Sequence, residues 1–175
     1  MSDTDIARRA RVLAETFDRS FAAPVRVRED EGRPALVIRV GGDPYLLLLE
    51  GLSGIAKRKR VVPLPGGAPA QLGLSGLRGG LVGVFSMPVL LGYEVAPSRL
   101  SWLAVAGGPR PVALAFEELE GQVVVSPSNV AAVPADARRH VAGLVRLDGE
   151  ASDRALLDLG AMLARLGSSS DTVGA

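Results

Sequence analysis

Residues 61–84 read Val-Val-Pro-Leu-Pro-Gly-Gly-Ala-Pro-Ala-Gln-Leu-Gly-Leu-Ser-Gly-Leu-Arg-Gly-Gly-Leu-Val-Gly-Val, and this stretch decides the fold. Pro63, Pro65 and Pro69 lack backbone donors, so the first part reads as an exposed proline-rich loop. Gly73-Leu74-Ser75-Gly76-Leu77-Arg78-Gly79 reads as a tight apolar and glycine turn that presents a single arginine. Leu81 to Phe85 then reads as a strand. Loop, turn and strand in immediate succession are the texture of a β-rich module.

Outward from that stretch, short apolar runs alternate with Gly and Pro. Ala35 to Val40, the turn Gly41-Gly42-Asp43-Pro44 and Tyr45 to Leu49 predict a hairpin. Further strands are expected at Lys59 to Val62, Leu100 to Ala106, Pro111 to Phe116, Gln122 to Val125, Val141 to Leu147 and Ala155 to Leu157. Gly107-Gly108-Pro109 and Leu147-Asp148-Gly149-Glu150 supply turns between them. This spacing predicts small closed barrels, with helical turns at Pro88 to Leu91 and Leu159 to Leu166. Ahead of the strands, residues 1–24 form an expected helical extension: Ile6, Ala10, Leu13, Phe17 and Phe21 recur every three or four residues, and Pro24 marks the exit. Such a helix either docks on its own domain or binds a partner. Residues 167–175 read as a disordered tail.

The bulk composition narrows the function. The 175 residues suit one compact domain or two small subdomains packed together. Apolar residues make up 47% of the chain and aromatic ones only 4%, so the core is built from Val, Leu, Ile and Ala, as sheets prefer. Twenty basic and 19 acidic side chains leave a formal charge of +1, too little to draw nucleic acid or an anionic membrane, which points to a protein partner. Absence of cysteine excludes disulfides and thiolate metal sites and fits a reducing cytoplasm. The start, Met1-Ser2-Asp3-Thr4-Asp5, is acidic and is followed by no apolar run of signal-peptide or membrane-span length, so a cytoplasmic location is expected.

Chemistry-bearing motifs are scarce. His140 is the sole imidazole, and Arg138-Arg139 beside it oppose its protonation, so a solvated histidine next to a strand is expected. Gly73 to Leu77 departs from a nucleophile elbow at Leu77, where that motif requires glycine. Neither a phosphate loop nor a dinucleotide glycine triplet occurs, so no cofactor is expected. Glu117, Glu118 and Glu120 raise the question of a catalytic or hard-metal carboxylate pair, but neighbouring strand residues face opposite ways, and a solvated acidic turn is the better reading. Lys57-Arg58-Lys59-Arg60 is the densest basic run; without interleaved aromatics it reads as a charged strand edge that discourages aggregation.

The succession of a strand, a loop ending in Leu64-Pro65, the Gly73-to-Gly79 turn with its Leu77-Arg78-Gly79 and an alternating apolar strand resembles the signature of CheW-like chemotaxis adaptors. The resemblance spans residues 33–166, with Tyr45 to Ile55 similar to the family's early strand and Val141 to Leu163 similar to its closing strand, hairpin and Leu-Asp-Leu helix. It implies a mainly β fold, two SH3-like five-stranded β-barrel subdomains, with an N-terminal amphipathic α-helix and a short C-terminal helix here. It implies a non-catalytic adaptor that couples the cytoplasmic tip of a chemoreceptor to the regulatory domain of a CheA-type histidine kinase, within membrane-attached arrays and with possible self-association. A divergent scaffold for a motility or polarity regulator is the alternative.

By the same resemblance Leu52 and Ile55 fall on an apolar strand edge, with core packing as the bland alternative. Leu72 and Gly73 fall at a kinase-facing turn. Arg78 is the family's turn arginine, either a receptor contact or a guanidinium that ties loop carbonyls together. Two positions depart from the pattern: Gly54 stands where many relatives have a glutamate able to pair with that arginine, and Ser86-Met87 stands where they have Asp-Leu.

Overall fold

In the strand β1 (Arg33–Val40), Leu36, Ile38 and Val40 alternate with Ala35 and Val37, and all five are buried. A strand buried on both faces needs a layer on each side, and the rest of the chain supplies both. The computed structural model describes residues 32–94, 100–108, 111–133, 137–147, 149 and 152–168. The helix expected over residues 1–24 and the tail residues 169–175 lie outside the described residues.

Two sheets make up the fold. The six-stranded one has the order β8-β1-β2-β11-β10-β9, with β2 at Asp43–Leu48, β8 at Glu118–Val125, β9 at Val130–Ala131, β10 at Val141–Val145 and β11 at Arg154–Leu157. The five-stranded one has the order β3-β6-β7-β5-β4, with β3 at Leu52–Lys57, β4 at Gln71–Leu77, β5 at Gly80–Ser86, β6 at Trp102–Ala106 and β7 at Val112–Phe116. Neighbours are antiparallel except β2 with β11 and β5 with β7, which are parallel. Two short helices, α1 (Met87–Leu91) and α2 (Leu159–Ser168), complete the described elements, and α2 runs two residues into the segment expected as tail. The mainly β architecture expected from sequence is therefore present as two sheets of six and five strands.

Alternation sorts side chains into three clusters. Leu36, Ile38, Tyr45 and Leu47 of the first sheet share a central core with Ala104, Leu114 and Phe116 of the second, joined by Met87, Leu90 and Leu91 of α1 and by Met162 and Leu166 of α2. Ala35, Val37, Leu46, Val145 and Leu156 fill a cluster of the first sheet alone. Leu77, Val82, Val84, Leu103, Ala113 and Ala115 fill one of the second. In β7 the large residues Leu114 and Phe116 serve the shared core while Ala113 and Ala115 serve the other face.

The chain begins in the first sheet, makes the whole second sheet and returns. The return takes one residue, Glu117, between β7 and β8. Its carboxylate accepts a hydrogen bond from the Gly41 amide at 2.8 Å, and its own amide donates to the Arg39 carbonyl at 3.3 Å. Glu120 accepts from Arg39 and from Arg154, so two of the three carboxylates set aside as a solvated turn stitch this crossing instead. The acidic cluster does not converge on a metal position, and among the described residues no group of His, Cys, Asp and Glu does.

Two local readings are corrected. Gly73 to Leu77 is strand, not turn, because pairing with β5 from Gln71 to Leu77 overrides its glycine content, and only Arg78-Gly79 reverses the chain. Lys59 to Val62 is no strand: its β contact is the single bridge between Val62 and Leu74, since Pro63 follows with no donor to extend a ladder. Leu52–Lys57, which lacks a clear apolar alternation and is expected as strand only through the resemblance, forms β3 through its ladder with β6.

Phe116 is fully buried where the two sheets meet, so Phe116→Ala should lower the unfolding free energy by about 3–5 kcal/mol. Urea denaturation followed by circular dichroism measures it; a loss below about 1 kcal/mol would mean the shared core is not packed as described.

Candidate protein-interaction site

The β4–β5 hairpin closes on the two residues Arg78 and Gly79, between the paired Leu77 and Gly80. Their φ angles, 51° and 81°, are both positive, as a two-residue type I′ hairpin turn requires. An arginine adopts this left-handed conformation less readily than glycine or asparagine, so the turn holds a residue that its backbone alone would not select.

The guanidinium reaches across to β3. Arg78 Nη1 donates to the Ser53 carbonyl at 2.9 Å. Its Nη2 lies over Gly54, where an added Cβ would collide with it, so the missing side chain at position 54 is the space that the guanidinium occupies. Glu50, the local acid within reach in sequence, pairs with Arg33 at 3.6 Å instead. Among the described residues Arg78 has no carboxylate partner. The carbonyl tie expected as one reading of Arg78 is therefore present, and it uses only one of the five N–H groups of the side chain.

Beside this arginine lies a groove of about 340 Å³. Ile55 and Ala56 of β3, Val82 of β5 and Val105 of β6 give it apolar walls, and Lys59 adds a second cation. Leu81, next to the turn, is 74% exposed, the highest value among the exposed large hydrophobic residues. The structure thus brings Ile55 and Arg78 together. Leu52, at the start of β3, is half-buried on the shared core, and Ile55 also packs there while lining the groove. Leu72 and Gly73 sit at the opposite end of β4 from Arg78, and neither lines the groove. Leu81, Val82 and Val105 were not legible as site residues; only the position of Leu81, just past a glycine turn, hinted at exposure.

Gly73 has a different task. With φ at 135°, its α-carbon lies so close to the Val62 carbonyl and Pro63 that a Cβ would clash with both. This approach lets Val62 and Leu74 exchange backbone hydrogen bonds of 2.8 and 2.9 Å, pinning the proline loop to β4. That loop leaves Val62 and Leu64 exposed, 56% and 41%.

The remaining polar clusters are structural. The Tyr93 hydroxyl donates to Asp43 and shares a 2.6 Å hydrogen bond with the Tyr45 hydroxyl, while the Arg138 guanidinium carbon lies 3.7 Å from the Tyr93 ring centroid. Burial, then the hydrogen bonds with Asp43 and Tyr45, pushes the Tyr93 phenol far above its ordinary range, so it stays a neutral donor. The expectation of a solvated His140 holds only in part: the residue is half-buried, and its Nε2 is covered without a hydrogen-bond partner among the described residues, in a turn with φ 61° whose carbonyl is held by the Asp158 amide. Burial chiefly, with Arg165 and Arg139 assisting and Asp158 opposing, lowers its pKa below 6.5.

The notable surface of this two-sheet β module is an apolar groove beside an arginine that has no carboxylate partner among the described residues. The chain is a member of the CheW-like domain family, whose model matches residues 34–166. Among solved structures it is similar to the crystal structure of the scaffolding protein TtCheW from Thermoanaerobacter tengcongensis, at a TM-score of 0.63 and 14% identity over 73% of this chain and 90% of that one. No curated protein matches the sequence. Among the described residues no helix is long and apolar enough to cross a membrane.

Two outcomes follow. Gly73→Ala should cost about 1–3 kcal/mol and speed amide exchange at Val62 and Leu74, because the clash breaks their bridge; unchanged exchange would show that the approach is not needed. For His140 the folded pKa lies below the unfolded one, so the unfolded chain takes up the proton first and stability falls as pH drops through about 6.5. Denaturation at about pH 7.5 and 5.5 should show a smaller difference in His140→Gln than in the wild type, and equal differences would exclude the buried imidazole as the cause.

Proposed function

We propose that this protein is a non-catalytic cytoplasmic adaptor that couples the signalling tip of a chemoreceptor to the regulatory domain of a CheA-type histidine kinase in membrane-attached arrays. The observation that carries this reading is the Arg78 groove, set within a fold whose family is that of CheW-like domains. Arg78 and Ile55 form the anchor, with Leu52 supporting β3 from the shared core. Leu72 and Gly73 shape the far end of β4 and its proline loop as a second, kinase-facing contact. On this reading the two sheets, each with its own apolar cluster, correspond to the two small SH3-like barrels that the family resemblance implies. Residues 1–24 precede the module at 33–166, and self-association extends the array.

Gly54 favours a second reading, in which the same fold serves a motility or polarity regulator, because the internal partner of the turn arginine is missing. Deleting residues 1–22 separates the two if the extension is the regulator's contact: kinase binding would survive while the regulator is lost.

Calorimetry with the purified receptor tip and kinase regulatory domain tests the leading reading. At least one should bind, and Arg78→Ala and Leu81→Asp should each weaken binding tenfold or more, about 1.4 kcal/mol, without lowering the melting temperature. Binding of neither partner would overturn it.

A further inference from the structure

We propose that the groove beside Arg78 receives an acidic amphipathic segment of a partner protein, with a carboxylate of that segment closing on Arg78 and its apolar side chains packing against Leu81, Val82 and Val105. This deepens the reading of the groove as the partner-binding face and rests on it.

The argument is one of charge complementarity. Among the described residues, the charged ones lining the groove are Lys59 and Arg78, both cations, and none is acidic. Nη1 of Arg78 donates to the Ser53 carbonyl, which draws the guanidinium over β3 and leaves Nη2 over Gly54 without a carboxylate among the described residues. A planar fork with N–H groups still to be satisfied is the geometry that takes a carboxylate in paired hydrogen bonds. A purely apolar occupant would cover that cation and leave its desolvation uncompensated. A segment carrying only charge would leave Leu81 in water, 74% exposed beside the groove. Only an occupant that offers both satisfies the two halves of the surface.

The volume also limits the occupant. At about 340 Å³ the groove holds a few side chains, at the lower end of the range of roughly 300–1,000 Å³ seen for ligand pockets. A helix or strand presenting one acid and one or two apolar residues fits that limit. Phosphate of a nucleic acid is disfavoured by the overall balance of 20 basic against 19 acidic residues, which gives no wider positive field to hold a polyanion.

Titrating the full-length 15N-labelled chain with a synthetic amphipathic peptide tests the proposal, using one version with glutamates flanking a leucine stripe and one with glutamines in their place. The acidic peptide should shift the amides of Ser53, Ile55, Leu81 and Val105 and bind at least tenfold more tightly than the glutamine version. Arg78→Gln should erase that preference while leaving the spectrum dispersed. Gly54→Glu, which supplies an internal carboxylate, should weaken the acidic peptide and leave the glutamine one unchanged. Equal affinity of the two peptides, or shifts confined to other surfaces, would overturn the proposal. So would concentration-dependent shifts of the groove amides without peptide, which would make a second copy the occupant. If the receptor tip or kinase domain binds but the peptides are not distinguished, the adaptor reading stands and the charge inference falls. If the acidic peptide is preferred and neither of those proteins binds, the reverse holds.

Discussion

Burial of both faces of the central strands is the constraint on which the structure depends. A sheet covered on one side alternates apolar and polar residues, but β1, β2 and β7 cannot, because one face of each lies on the shared core and the other on the cluster of its own sheet. This explains the composition: 47% apolar residues with few aromatics, since two closely apposed layers are filled more evenly by Leu, Val, Ala and Ile than by rings. It also places demands on the crossings. A chain that leaves the first sheet after β2 and returns at β8 has to satisfy its backbone where it changes layers, and Glu117 does this with side chain and amide together.

Glycine at position 54 and Ser86-Met87, the two positions set apart by the sequence resemblance, have opposite physical consequences. Ser86 is buried, 2% exposed, and caps α1 by accepting from the Val89 amide at 3.4 Å, while its own amide donates to the Ala70 carbonyl. Serine and aspartate are both good N-caps, so that replacement keeps the local structure and removes only a charge that would have been buried. Met87 beside it is fully buried in the shared core, where its unbranched side chain fills space much as leucine would. Gly54 keeps nothing of a glutamate's role. It opens room for the Arg78 guanidinium and offers it no acid.

Legibility in the sequence followed side-chain size. Runs rich in large aliphatics, such as Ala35 to Val40 and Tyr45 to Leu49, gave their strands within one or two residues, because burial on two faces leaves an unbroken apolar record. β3 and β4 did not, since Ser53, Gly54, Gly73, Ser75 and Gly76 dilute their pattern with residues that also make turns. Their strand character comes from partners distant in sequence, β6 for one and β5 for the other. The site divided in the same way: Arg78 was legible because a lone arginine at a glycine turn is conspicuous. Val82 and Val105 were not, because an apolar strand residue looks the same whether it faces a core or a groove. His140 escaped for a related reason: its Nε2 is covered in a turn whose carbonyl is held by the Asp158 amide, a contact distant in sequence, and the charges of Arg165 as well as Arg139 act on it.

The absence of an acid at position 54 costs the fold little. An exposed arginine–carboxylate pair contributes about 0–1 kcal/mol to stability, so a chain without one remains folded. The energetics differ at an interface. Were the turn arginine paired within the chain, docking would cover a neutral ion pair, and the partner need bring no charge. Arg78 has no carboxylate partner among the described residues, so docking over it by a partner without a carboxylate would leave the guanidinium buried and uncompensated. Under the proposed reading, glycine at position 54 would thus place the requirement for an acid on the partner, and discrimination would follow from the partners it penalises as much as from the one it favours.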